Sequence, residues 1–283
     1  MIFVTGGSGL VGSAVLGRLS QHGSGVRALA HSASGRSAIE AAGAEAVPGD
    51  LDSPKSLTGA MDGCSRLFLL SPPHTQQVAR EKAAIAAAKE AGIAHVVALS
   101  IIAADTRSPV PFSRWHAEID QYLIDSGMAY TLLRPAGFMQ IHLWPVHTIT
   151  TQNRWYGMTG DGAAGFIDAH DVAAVAAEIL TAGGHEGATY ELTGPAAISM
   201  PQAAATVTEV TGRPVEYIDL SPEAYESELA KAGTPDLVVH AISTLYQAIR
   251  AGHAATVTKS VEQVTGRQAG TYRQFVEAHQ DRL

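Results

Sequence analysis

The residues with the plainest chemistry lie in Thr5-Gly6-Gly7-Ser8-Gly9-Leu10-Val11-Gly12. Two glycine patterns overlap there: G-x-G-x-x-G through Gly7, Gly9 and Gly12, and T-G-x-x-G-x-x-G through Gly6, Gly9 and Gly12. Glycines at this spacing let a tight turn bring backbone N–H groups against a pyrophosphate, at a helix N-terminus whose dipole favours negative charge. The loop follows the apolar run Ile2 to Val4 and precedes Val11, Ala14, Val15 and Leu19, which are spaced as one face of a helix. That is the strand, turn and helix context the pattern requires. The plainer alternative is a structural βα turn.

The end of the second strand distinguishes the two nicotinamide dinucleotides. An NAD site places Asp or Glu about 20 residues past the glycines to hold the ribose 2′-hydroxyl, whereas an NADP site lacks that acid and has a cation nearby. Here Val26 to Ala30 runs into His31 and Ser32, then Arg36, with no acid before Glu40. His31, Ser32 and Arg36 are suited to a 2′-phosphate, which favours NADP(H) over NAD(H). Arg36 as a solvated helix charge is the alternative. Gly49-Asp50-Leu51 ends the third strand, where the Asp50 carboxylate and the backbone at Leu51 can meet an adenine amino group; Asp50 can equally cap a helix. Leu70-Ser71-Pro72 and Ser100 end the fourth and fifth strands, where open α/β sheets bind ligands.

These positions need a particular frame. Apolar runs at Ile2 to Val4, Val26 to Ala30, Ala46 to Val47, Leu67 to Leu70, His95 to Leu99 and Tyr130 to Leu133 alternate with helical patterns. The helices expected are Leu10 to Gln21, Gly35 to Ala42, Pro54 to Met61, Gln76 to Ala91 and Ser113 to Ser126. Continuous apolar strands alternating with helices imply a doubly wound parallel sheet of the Rossmann type. Residues 1–135 read as the dinucleotide-binding domain, rejoined by residues 165–194: a strand at Gly165 to Asp168, a helix from Ala169 and a strand at Thr189 to Leu192. Residues 136–164 and 195–283 read as a smaller, mainly helical, substrate-binding lobe around a strand at Val215 to Leu220.

Phe112, Trp115, Phe138, Trp144, Trp155 and Tyr156 could line a flat pocket for an aromatic acceptor, since rings favour offset stacking. Core packing is the alternative. Phe112, Phe138, Trp155 and Tyr156 are the substrate-side candidates.

The composition excludes several classes. Nineteen basic residues against 27 acidic ones give a net charge of −8, with no basic stripe for nucleic acid or an anionic membrane surface. An apolar share of 46% with 16% charged residues describes a foldable chain. Cys64 is alone, so neither an intramolecular disulfide nor a cysteine-rich metal site is available. His142, His147 and His170 match no i, i+4 ligand pair, and no metal is expected. Ser71 and Ser100 lack a G-x-S-x-G elbow, which argues against a hydrolase. No basic leader and no bilayer-length apolar stretch is present, so a cytoplasmic address is expected. The partner expected is a small molecule, and self-association is left open.

Thr5-Gly-x-x-Gly-x-x-Gly12, Gly49-Asp50-Leu51, Phe68-Leu-Leu-Ser-Pro-Pro73, His95-Val-Val-Ala-Leu-Ser100, Tyr130-Thr-Leu-Leu-Arg-Pro135, Phe166-Ile-Asp-Ala-His-Asp171 and Tyr190-Glu-Leu-Thr-Gly194 together resemble the NmrA-like group of atypical short-chain dehydrogenases. The resemblance covers nearly the whole chain. It implies an NAD(P)H-binding Rossmann fold and, by branch, a quinone reductase, a triphenylmethane dye reductase, or a redox sensor that binds the dinucleotide without reducing anything. Short-chain dehydrogenases commonly carry Tyr-x-x-x-Lys, the tyrosine giving a proton to the substrate oxygen. The matching segment is Phe112-Ser-Arg-Trp-His116. Phenylalanine has no proton to give. An unactivated ketone needs such an acid, while a quinone or cationic dye gives a stabilised product without one. His116 is the catalytic candidate, either as a hydrogen-bond partner of the nicotinamide ribose or as a proton donor. A helix histidine satisfied by a backbone carbonyl is the plainer alternative. The expectation is an NADPH-dependent reductase of an electron-poor conjugated acceptor; a dinucleotide sensor and, more remotely, a nucleotide-sugar epimerase are the rivals.

Overall fold

The computed structural model describes residues 1–283. In chain order β1 (Ile2–Val4), α1 (Leu10–Gln21), β2 (Val26–Ala30), α2 (Ala33–Ala41), β3 (Glu45–Pro48), α3 (Lys55–Ala60), β4 (Arg66–Leu69), α4 (Gln77–Glu90), β5 (His95–Leu99), α5 (Pro111–Asp125) and β6 (Ala129–Pro135) alternate strictly. A 3-10 turn at Met139–Leu143, then α6 (Val146–Gln152), β7 (Arg154–Gly157) and β8 (Ala163–Ala164), lead away from the sheet. The chain returns through α7 (Ala169–Thr181) to β9 (Ala188–Leu192). The sheet order is β3-β2-β1-β4-β5-β6-β9, and every pairing is parallel. The reversal of winding at β1 opens a crevice at the strand carboxyl ends, where such sheets bind ligands.

Helices cover both faces. Val11, Val15, Leu16 and Leu19 of α1 pack with Val172, Val175, Ala176 and Ile179 of α7 on one side. Leu57, Ile85, Ala88, Ile119 and Leu123, from α3, α4 and α5, cover the other. Each large aliphatic side chain fully buried this way contributes about 1.5–3 kcal/mol. Being covered twice, the strands read as unbroken apolar runs.

The remaining elements are β10 (Ile198–Ser199), α8 (Met200–Thr211), β11 (Glu216–Asp219), α9 (Pro222–Lys231), α10 (Asp236–Arg250), α11 (Ser260–Thr265) and α12 (Tyr272–Ala278). A separate core of Met139, Leu143, Ile149, Trp155, Phe166, Met200, Val207, Val215, Phe275 and Val276 unites this lobe. β7 pairs with β11 in parallel, and β8 with β10 antiparallel. No helix is long and apolar enough to cross a membrane.

The strand expected at Gly165 to Asp168 does not form. Ile167 makes one bridge to Phe138, and the backbone is shared among several partners: Gly165 N–H donates to Ala254, Ile167 N–H to Gly137, and Ile167 O accepts from Met139. No single strand lies alongside to build a ladder. β7, β8, β10, α6, α11 and α12 were not foreseen, because each is short and takes its partners from distant sequence.

Candidate functional site

Gly6 has φ +60°, and a Cβ there would stand 2.8 Å from Leu70 Cδ1. A Cβ on Gly12 would stand 2.1 Å from the Gly6 carbonyl oxygen. The loop is therefore closed by backbone touching backbone, and Gly9 N–H donates to Gly6 O at 3.0 Å. No side chain caps α1 and no acid occupies its first turn. Ser8, Gly9 and Leu10 are exposed, so the start of the uncapped helix opens at the surface. This is a cradle that a diphosphate fits. Thr5 acts beneath it: fully buried, its Oγ1 donates to Leu70 O at 2.7 Å and accepts from Leu70 N–H at 2.9 Å. Val11 and Gly7 are also buried, and a Cβ on Gly7 would meet Ala28 and Leu16 at 3.1 Å.

His31 and Ser32 are exposed at the end of β2. Ser32 caps α2, its Oγ accepting from Gly35 N–H at 3.1 Å and lying 3.3 Å from Ser34 Oγ. Ser8 borders the same turn, its Oγ 3.6 Å from where a Gly35 Cβ would be, so the glycine loop and the start of α2 form one polar rim. Arg36 lies along α2, donating to Ala46 O at 3.1 Å and to Glu40 at 3.2 Å. Asp50 accepts from Asp52 N–H at 2.9 Å and so closes its own turn rather than capping α3; Leu51 beside it is half-buried. Pro72 is exposed next to half-buried Leu70 and Ser71.

At the ends of β4 and β5 two serines each bind a buried carboxyl group. Ser71 Oγ donates to Glu81 Oε1 at 2.7 Å, and Gln77 Nε2 donates to the same oxygen at 3.1 Å. Gln77 Nε2 also lies 3.3 Å from His116 Nε2. Ser100 Oγ donates to Asp120 Oδ2 at 2.8 Å, and Arg134 reaches that oxygen with two N–H groups at 2.8 and 3.2 Å. Burial pushes the Glu81 carboxyl up to about 7, against the hydrogen bonds from Ser71 and Gln77. Burial also raises Asp120, outweighing Ser100 and Arg134. Burial holds the His116 imidazole down at about 4, so it is neutral at pH 7.

Phe112 and Trp115 meet edge to face at 5.5 Å on α5. Phe138 is half-buried at its bridge to Ile167, and Tyr156 is half-buried with its hydroxyl on Gln152 at 3.2 Å. Trp155 stands apart from them. It is 3% exposed and packs edge-on against His142 in the lobe core. His142 is itself buried, 3.1 Å from the Tyr272 hydroxyl, with burial holding it at about 3. Asp168 caps α7, accepting from the backbone and ring of His170 at 2.8 and 2.9 Å. Asp171 holds Gly270 N–H at 2.8 Å.

The structure thus gathers Gln77, Glu81, Asp120 and Arg134, which the sequence reading passed over, around His116, Ser71 and Ser100. A signal was present. Gln77 and Glu81 stand in register with Ala84, Ile85 and Ala88, the buried face of α4, and polar residues on an apolar helical face need a reason.

The model of the NAD(P)H-binding family matches residues 6–182. The chain is 37% identical over 279 residues to the NAD(P)H azoreductase of Xenophilus azovorans, covering 99% of this chain and 98% of that one. The crystal structure of an NADPH-dependent quinone oxidoreductase of Escherichia coli, complexed with NADPH, superposes with a TM-score of 0.90 at 29% identity, covering 98% and 99% of the two chains. The Citrobacter sp. triphenylmethane reductase complexed with NADP(H) gives a TM-score of 0.90 at 25% identity over 100% of both chains. With the glycine cradle, the sheet order and these matches agreeing along its length, the chain belongs to the NAD(P)H-binding family and is an oxidoreductase.

Proposed function

We propose that the protein transfers hydride from NADPH to an electron-poor conjugated acceptor such as a quinone or a dye. One observation carries the choice of acceptor. At the place where short-chain dehydrogenases position an acid, Phe112 has no hydroxyl and His116 is held neutral at neutral pH by burial. A substrate whose reduction makes a strongly basic alkoxide would find no strong acid there. A conjugated acceptor spreads the added electron pair over its own π-system, and water can supply the proton.

In this reading the N–H groups of Gly6 to Gly12 hold the diphosphate, and His31, Ser32 and Arg36 hold the 2′-phosphate. Asp50 and Leu51 face the adenine; Leu70, Ser71, Pro72 and Ser100 line the nicotinamide side. Phe112, Phe138 and Tyr156 orient the acceptor, and His116 follows Phe112 by one turn of α5. NADPH, when bound, supplies the hydride. The names of the azoreductase, quinone oxidoreductase and triphenylmethane reductase relatives support the class of acceptor.

The test is NADPH oxidation against quinones, azo dyes, triphenylmethane dyes and simple ketones. Turnover is expected with conjugated acceptors and not with ketones. Arg36→Ala should weaken NADPH binding about tenfold, the worth of one charge-assisted hydrogen bond, with NADH unchanged. Equal turnover of ketones, or none of any acceptor, would overturn the reading.

A further inference from the structure

Hydride transfer itself makes no call on Glu81, yet the fold buries this carboxyl group beside the reactive end of the crevice, 1% exposed on α4. Glu81 Oε1 takes both available donors, Ser71 and Gln77, while Oε2 has no partner. The Gln77 amide nitrogen carries two hydrogens. One meets Glu81; the other meets His116 Nε2, which must then be an acceptor. A neutral imidazole has a single N–H, so its proton lies on Nδ1. Nδ1 is buried and has no partner within the protein. Reversing the amide would set its oxygen against the carboxylate oxygen, two acceptors face to face. An ionised Glu81 therefore forbids it.

Building on the reductase reading, we propose that Glu81 and Gln77 are positioning residues that fix His116 as its Nδ1–H tautomer, so that a neutral donor is offered to an acceptor oxygen at the reacting end of the site. Protonation of Glu81 at Oε1, the oxygen that Gln77 meets, reverses the chain. Its new O–H becomes a donor, the amide turns its oxygen toward it, and that oxygen accepts from Nε2–H of His116. The ring then loses one proton from Nδ1 and gains one at Nε2, through water, with no change of charge. A donor becomes an acceptor at the site.

The surrounding charges leave this exchange to Glu81. From α5 it faces Asp120, whose charge raises Glu81 further and which is bound by Arg134 of β6, and His116, which is neutral; from the turn after β4 it faces the Ser71 hydroxyl. On α4 the flanking Arg80 and Lys82 are paired outward with Asp52 and Glu118. Burial moves the Glu81 titration to about 7, so the reversal falls near neutral pH.

Nitrogen-15 NMR of histidine-labelled protein reads the tautomer directly, with the His116 signals assigned by their loss in His116→Asn. The expected result is Nδ1–H at pH 8.5, moving toward Nε2–H at pH 5.5, and loss of that movement in both Glu81→Gln and Gln77→Leu. In parallel, kcat with NADPH and a quinone should fall about tenfold in Gln77→Leu, the cost of one lost hydrogen bond, while NADPH affinity holds. Nε2–H in the parent at pH 8.5, or a movement that survives in both variants, overturns the proposal. Correct tautomers with no acceptor turned over would instead remove the reductase reading and leave the tautomer assignment standing.

Discussion

At the scale of single residues, one methyl group decides whether the glycine loop closes. Gly12→Ala would drive a Cβ into the Gly6 carbonyl oxygen, 2.1 Å away, and neither backbone can retreat without opening the turn. The variant should lose more than about tenfold in NADPH affinity by fluorescence titration, since the cradle must lose at least one charge-assisted hydrogen bond. Glu81 makes a prediction of the opposite kind. Its carboxyl is displaced from 4.5 to about 7, so the folded state holds the proton more tightly than the unfolded one. That stabilisation is complete below about pH 4.5 and is lost as pH rises through 7, about 3 kcal/mol in all. Urea unfolding of Glu81→Gln and its parent should therefore show the variant gaining about that much between pH 4.5 and 8. The buried carboxyl costs stability once the pH has risen through 7, as functional groups often do.

At the scale of elements, the site depends on how β1 and β4 end together. Thr5 stitches them, bonding both polar groups of Leu70 through one hydroxyl. Thr5→Val keeps the shape and removes both bonds, leaving the partly buried N–H and C=O of Leu70 without that partner. The expected cost is about 2–3 kcal/mol by urea unfolding, with the strand ends loosened and NADPH affinity lowered. The βαβ elements were readable because each is a local period: short apolar strands, then helices ended by glycine. Gly165 to Asp168 also looked like a strand, being apolar and short, but strand formation needs a neighbour with free ladder groups. Ile167 and Gly165 instead give their backbone bonds to Gly137, Met139 and Ala254. α12 is the converse case: Thr271 and Gln274 form a complete capping box that four residues of sequence display.

At the scale of the whole molecule, the two faces of the sheet and the lobe have separate cores, and protection should follow them. No residue of α9 is buried, whereas β1, β4 and β5 are almost wholly enclosed. Hydrogen exchange should find α9 opening fastest and the central strands exchanging only with global unfolding. Adding NADPH should slow the amides of Gly6 to Gly12 and leave α9 unchanged; protection confined to the lobe would contradict the proposed cofactor site.

The sequence by itself determined the glycine loop, the alternation of strand and helix and the absence of an acid after β2, because each is a property of neighbouring residues. It also exposed the missing tyrosine, through a register of five residues from Phe112 to His116. Only the tertiary structure decided that Trp155 belongs to the lobe core and that Glu81, Gln77 and His116 form one hydrogen-bonded chain. Those contacts join α4 to α5 across 39 positions of sequence, and burial, which sets their protonation, exists only once the helices have packed.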